Sequence, residues 1–350
     1  MTRRDFATAV ALSAQAAHAA PPAAGALPLI KPPMLRPGDT VGLITPSSNV
    51  PDPAELELAV SAVRYIGLNP KLGRNTSKRR GYLAGTVAER VDDLHTMFRD
   101  PDVRAIWCIR GGYGAPQLLD HIDYALVRSN PKVFIGFSDI TALHLALNRY
   151  AGLVTFHGPV VIFDSGVSHL TGYTLASLKM AVFQNGPIGR LALPPAADVL
   201  TAKHHIQTMR AGKAHGRLIG GNLSLIASLM GTPYEIETRG ALLFCEEVDE
   251  AIYRVDRMLT QLRLAGKLRE AAGIVFGECT DCGRPDCRAT FEPTLSVTEV
   301  LSSIVGQAGV PAFSGLTIGH TPEQLTLPEG IPATIDADRG EIVIEESAVL

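Results

Sequence analysis

The chain has 350 residues, 46% apolar and 19% charged, and 32 basic against 35 acidic residues leave a formal net charge of −3. That size allows a large buried core and favours two domains over one. The balanced charge, with no long basic run, excludes a phosphate-tracking nucleic-acid surface, and past the N-terminus no apolar stretch reaches the roughly eighteen residues a membrane helix needs.

Thr2-Arg3-Arg4-Asp5-Phe6 precedes an Ala-rich, weakly apolar run ending in Ala17-His18-Ala19. Paired arginines, a Phe two positions on and small residues at 17 and 19 read as a twin-arginine export signal. Residues 1–28 are therefore set aside as signal and flexible N-terminus, and the expected location is the periplasm. An ordinary Ala-rich tail would instead leave the protein in the cytoplasm.

From about Leu35 to Tyr150, short β-branched runs alternate with helical patterns, which signals βαβ units and a parallel sheet. Thr40 to Thr45 reads as the first strand, closed by the turn Pro46-Ser47-Ser48-Asn49. Helices are predicted over 53–66 and 86–98. The strand 103–109 ends in Arg110-Gly111-Gly112-Tyr113-Gly114, and the strand 132–137 ends at Ser138. Both stop at the carboxyl edge of the sheet, where open α/β folds build their sites. The Pro-, Gly- and Ala-rich stretch 176–215 has no periodicity and reads as a linker between a domain at 34–175 and a smaller α/β domain at 216–350. The latter carries strands at 241–245 and 273–277, a helix at 251–264 and a closing strand pair near 333–335 and 341–344.

Ser138 sits at a strand-to-helix turn, which exposes a hydroxyl and aims the following N–H groups, starting at Asp139, at a developing oxyanion. The same position also suits a plain helix N-cap. The hydrolase pattern Gly-x-Ser-x-Gly is incomplete, because Ile140 stands at its last Gly. The glycines of 110–114 lack the order of a dinucleotide loop or a P-loop, so no nucleotide cofactor is called for. A serine nucleophile needs a base, and His320 and His157, each ending an apolar run beside a Gly, are rivals for that role. An acid must orient the imidazole. Glu246 directly follows a buried strand, while Glu247, Asp249 and Glu250 compete. Cys279, Cys282 and Cys287 are too few for structural zinc without a fourth ligand, so no metal is expected; a loop disulfide of Cys279 or Cys282 with Cys287, or free thiols, fits better. Cys108 and Cys245 lie in apolar runs and read as core.

Seven motifs occur in one order: Tyr82-Leu83-Ala84-Gly85-Thr86, Arg110 to Gly114, Gly136-Phe137-Ser138-Asp139-Ile140-Thr141, Phe156-His157-Gly158-Pro159, Gly220-Gly221-Asn222-Leu223, Phe244-Cys245-Glu246-Glu247 and Ile318-Gly319-His320. Together they resemble the LD-carboxypeptidase family, which includes murein tetrapeptide carboxypeptidases and microcin C self-immunity peptidases. The resemblance implies an α/β fold: a flavodoxin-like parallel-sheet domain bearing the nucleophile, then a smaller swivelling β/α domain bearing Glu and His. It implies the triad Ser138, Glu246 and His320, and an oxyanion hole from the N–H groups of Asp139 and Gly112. Arg110, with Gly111 beside it, is the candidate holder of a substrate's terminal carboxylate. The implied substrate is a murein tetrapeptide losing its terminal D-Ala, with a microcin-type aminoacyl-nucleotide amide or mere muropeptide binding as alternatives, and the implied assembly is a homodimer. Two departures stand out: Phe137 replaces the more usual Tyr, and Thr321-Pro322-Glu323 follows the His where a Gly-rich turn is usual.

Overall fold

The computed structural model describes residues 27–162, 170, 172–194, 205–283 and 295–350. The N-terminal signal reading, residues 1–26 of it, and Cys287 lie outside them. Strand β1 (Thr40–Ile44) is buried along nearly its whole length, as an apolar run does when helices cover both faces of a parallel sheet. Helix α1 (Pro53–Tyr65) starts where Asp52 accepts a hydrogen bond from Ala54 N and Pro53 fills the first turn. Strand β2 (Asn69–Leu72) follows. Helix α2 (Val87–Arg99) opens with a reciprocal cap between Thr86 and Glu89. Then come β3 (Val103–Cys108), α3 (Tyr124–Ser129), β4 (Val133–Gly136), α4 (Thr141–Ala151) and β5 (Thr155–His157).

The second half runs through α5 (Gly172–Val182), β6 (Gly189–Leu191), β7 (Gln207–Arg210), β8 (Lys213–Asn222), α6 (Leu223–Ser228) and β9 (Leu242–Val248). Helices α7 (Ile252–Leu264) and α8 (Lys267–Glu270), strand β10 (Gly273–Thr280) and helix α9 (Val297–Ile304) come next. Strands β11 (Ala312–Leu316), β12 (Leu327–Glu329), β13 (Pro332–Asp336) and β14 (Glu341–Ile344) close the chain. Two α/β units result, each on a mixed sheet. The first sheet has the order β12-β5-β4-β3-β1-β2 and is parallel except for β12. The second has the order β6-β14-β13-β8-β9-β10-β11-β7, with β8 to β11 in parallel order and antiparallel strands on both flanks.

The structure differs from the sequence reading in three places. The stretch 176–215, expected as a linker, carries most of α5 and the strands β6 and β7, which form the two edges of the second sheet. Edge strands of three or four half-exposed residues leave no hydrophobic period to read. Near the C-terminus, β12 crosses back to the first sheet, setting Leu327 opposite His157 and Glu329 opposite Thr155. Finally, the disulfide joins Cys279 to Cys282 rather than engaging Cys287. A turn closed by Cys282 N donating to Cys279 O at 3.3 Å brings their Cα atoms within 5.4 Å, a separation that a disulfide spans. Cys108 and Cys245 are buried free thiols.

The two sheets meet at the start of α4. Asn222 N, at the end of β8, donates to Thr141 Oγ1 at 2.9 Å. Gly221 has φ +132°, and a Cβ there would stand 2.4 Å from the same oxygen. Only glycine both adopts that backbone and permits the approach.

Candidate active site

Ser138 follows β4 and has φ 63°, a left-handed conformation that costs an L-residue roughly 1–2 kcal/mol. A helix N-cap would be extended. The cap of the short 3₁₀ turn Ser138–Ile140 is Phe137, and α4 starts after Ile140 with no side-chain capping bond. Ser138 Oγ lies instead 3.1 Å from His320 Nε2, and His320 Nδ1 lies 2.7 Å from Glu246 Oε2. Serine, imidazole and carboxylate thus stand in hydrogen-bonded order.

Each member is held from a different element. Glu246 lies on β9, fully buried, where Asn222 of β8 is its strand partner. Burial pushes its carboxyl upward, but the charge and hydrogen bond of His320 outweigh that and hold it below the ordinary glutamate range. His320 sits in the loop after β11, its side chain only 10% exposed. Gly319 before it has φ +82°, and a Cβ there would collide with Glu246 Oε2 at 2.1 Å, so glycine is what lets acid and imidazole meet. The ring of Phe137 packs edge-on against the imidazole at 4.8 Å between centroids. A Phe in place of Tyr therefore keeps the contact through its ring. In the turn beyond, Thr321 Oγ1 donates to Glu323 O at 2.7 Å and Thr321 N to Gly319 O at 2.9 Å.

The rivals have other duties. Glu247 accepts hydrogen bonds from Asn222 Nδ2 (3.0 Å), Ser224 N (2.8 Å) and Ser224 Oγ (2.7 Å), which caps the first turn of α6. Asp249 and Glu250 lie past the end of β9. His157 is fully buried at the end of β5, packed against Phe137 and Phe244, and burial lowers its imidazole to about 4.

Gly111 packs on Ser138, where a Cβ on the glycine would stand 3.4 Å from Oγ, and Gly112 follows with φ +105°. Arg110 Nη1 donates to Asn49 O at 3.3 Å. The Asp139 carboxylate, only 1% exposed, was not foreseen: it accepts from Ser47 Oγ (2.6 Å) and Ala115 N (2.7 Å). It ties the turn after β1, the glycine-rich turn and the turn at Ser138 together. Burial raises its pKa, opposed by those bonds and by the nearby Arg90 guanidinium. Arg90 is itself buried, donating to Pro46 O (2.8 Å), Gly114 O (2.8 Å) and Gln117 Oε1 (2.7 Å). An arginine on the apolar face of α2 was the sequence signal for this brace.

Among the described residues one group could offer a metal three donors: His144, His157 and Glu329, with ligand atoms within 4.8 Å of one another. His144 Nδ1 and Glu329 Oε1 stand 4.0 Å apart. Zinc bonds of about 2.0–2.1 Å at tetrahedral angles set ligand atoms only about 3.4 Å apart, so the cluster is too open for that ion.

Residues 41–158 match the LD-carboxypeptidase N-terminal domain and residues 215–335 the LD-carboxypeptidase C-terminal domain. The chain belongs to the LD-carboxypeptidase family. Within that family it is 42% identical over 315 residues to a probable murein peptide carboxypeptidase of Bacillus subtilis, covering 90% of this chain and 94% of the relative. The solved structure of the microcin C7 self-immunity protein with glutamyl sulfamoyl guanosine overlays with a TM-score of 0.82 at 26% identity, covering 91% of this chain and 99% of that one. Muramoyltetrapeptide carboxypeptidase from Oxalobacter formigenes overlays with a TM-score of 0.75 at 27% identity, covering 88% and 99%. This LD-carboxypeptidase family member is a serine hydrolase of the carboxypeptidase kind.

Proposed function

We propose that Ser138, His320 and Glu246 are the catalytic triad of this peptidase. The observation that carries the reading is the continuous pair of contacts, 3.1 Å from Ser138 Oγ to His320 Nε2 and 2.7 Å from His320 Nδ1 to Glu246 Oε2. Ser138 Oγ attacks the substrate carbonyl while His320 Nε2 takes its proton and later returns it to the leaving amine. Glu246 holds the imidazole in the tautomer that leaves Nε2 free to accept. The N–H groups of Gly112 and Asp139 stabilise the oxyanion, each donor contributing on the order of 3 kcal/mol. Arg110, next to the glycine that touches Ser138, holds the substrate's free carboxylate.

Two substrate classes have support. The overlay with the microcin C7 self-immunity protein, at 0.82, exceeds that with muramoyltetrapeptide carboxypeptidase, at 0.75. That ordering favours an aminoacyl-nucleotide amide over the murein tetrapeptide that led the sequence reading. The murein class keeps the support of the 42% identity to the Bacillus subtilis relative and of the twin-arginine-like N-terminus, since exported enzyme would meet the cell wall.

The deciding experiment offers wild-type protein a murein tetrapeptide ending in D-Ala and, separately, glutamyl sulfamoyl adenosine. Faster release of free glutamate selects the microcin class, and faster release of D-Ala selects the murein class. Turnover of either that survives in folded Ser138→Ala would overturn the triad.

A further inference from the structure

The buried cluster behind the nucleophile takes no part in the triad but is bonded to the strand that carries it. His144 Nε2 lies 2.8 Å from Gly136 O. A carbonyl only accepts, so Nε2 bears the proton and Nδ1 presents a lone pair. Gly136 ends β4, two residues before Ser138, and its carbonyl also accepts from Gly158 N at 3.0 Å.

Glu329 Oε1 faces that Nδ1 from 4.0 Å, with both side chains fully buried. An ionised carboxylate would bring only lone pairs to a lone pair. A protonated carboxyl can donate, and an approach of about 1 Å completes the bond. Among the described residues, His144 Nδ1 and both ring nitrogens of His157 have no hydrogen-bond partner, and Glu329, which the Gly220 N–H reaches from β8, is the one carboxyl that faces them. Burial drives each toward its neutral form: Glu329 well above the usual carboxylate range, His144 down to about 3 and His157 to about 4. The Gly220 N–H and then the Arg217 guanidinium pull Glu329 the other way, and Glu246 and His320 act oppositely on His157, but in each case burial is the larger influence.

We propose that Glu329 is a protonated acid which, through neutral His144, fixes the Gly136 carbonyl and so positions the strained turn at Ser138. A left-handed serine persists only where its surroundings over-determine it. Gly136 O is clamped from α4 by His144 and from the end of β5 by Gly158, and Glu329 on β12 braces the first of these. Because β12 comes from the C-terminal half of the chain, the half that supplies Glu246 and His320 also supports the nucleophile's backbone.

The test is the rate of fluorophosphonate labelling at Ser138, which needs no knowledge of the natural substrate. It rests on Ser138 being the nucleophile, and failure of wild-type protein to label would sink that reading separately. Glu329→Gln, whose amide donates as the neutral acid does, is expected to label at nearly the wild-type rate with an unchanged pH profile. Glu329→Leu and His144→Phe are expected to lower the saturating rate by about tenfold or more while leaving the half-saturating concentration in place. Equal losses in Glu329→Gln and Glu329→Leu, wild-type rates in folded Glu329→Leu, or stoichiometric metal in the wild-type protein would each overturn the proposal. Should the leucine variant fail to fold, infrared spectroscopy decides. A protonated-carboxyl band present in wild type and missing from Glu329→Gln supports it, and no such band in wild type overturns it.

Discussion

His157 and His320 end similar segments: an apolar run, a histidine and an adjacent glycine. In the fold they part company. His320, partly open to solvent, has a carboxylate on one ring nitrogen and the serine on the other. His157, fully buried between Phe137 and Phe244, has neither and is held neutral by its surroundings. On the proposed triad, what fits His320 and not His157 to act as a base is its two partners and its access to solvent, none of which the local sequence encodes.

The comparison can be broken most directly by removing each ring. His320→Ala is expected to lower turnover or labelling by about 10⁶-fold, as loss of a triad base does, while His157→Leu costs no more than about 10²-fold through small displacement of neighbours. Comparable losses would mean that both imidazoles act in the reaction.

The neighbouring acids give the next largest contrast. Glu246→Gln should reduce the rate by about 10⁴-fold, because an amide can stabilise the wrong imidazole tautomer. Glu247→Gln should keep its activity, since its carboxylate serves the start of α6; parallel rate measurements on the two variants check this.

Acid sharpens the difference between the histidines. His144 and His157 have folded pKa values near 3 and 4, below the unfolded value of 6.5. Between about pH 6.5 and 4 the unfolded chain binds protons that the folded chain refuses, so stability falls as pH falls. The two histidines together contribute a slope of roughly 2.7 kcal/mol per pH unit, and the proton that folded Glu329 holds above its unfolded range offsets about half of it. Urea midpoints at pH 7 and pH 5 measure the net slope, and His157→Leu should lower it by about 1.4 kcal/mol per pH unit; an unchanged slope would remove His157 from the account.

The smallest effect expected is on stability alone. Glu247→Gln weakens charge-assisted bonds to Ser224 and Val248 N, costing about 1–3 kcal/mol in a denaturant midpoint. A midpoint equal to wild type would show that the cap on α6 is dispensable.

Much of the scaffold was legible because its signals are local. The strands at 40–44 and 103–108 and the helices near 53–65, 87–99 and 252–264 follow from apolar runs and helical apolar periods within a dozen residues. The edge strands β6, β7 and β12 were not legible, since three or four residues carry no period and their partners lie far away in sequence. Among the site residues, Ser138 could be placed at its turn, but the residues alone could not choose between nucleophile and cap, nor between His320 and His157, nor between Glu246 and Glu247. The ordered motifs made those choices by resemblance.

By itself, then, the sequence determined where strands end, where helices start and which residues could carry chemistry, because those depend on neighbours along the chain. Only the tertiary structure decided which of them meet. Ser138, Glu246 and His320 are separated by 108 and 74 positions and converge because two sheets dock at Thr141 and Asn222. Packing within the first sheet brings Asp139 to Ser47 and, through β12, Glu329 to His144, contacts between distant segments that no local pattern records.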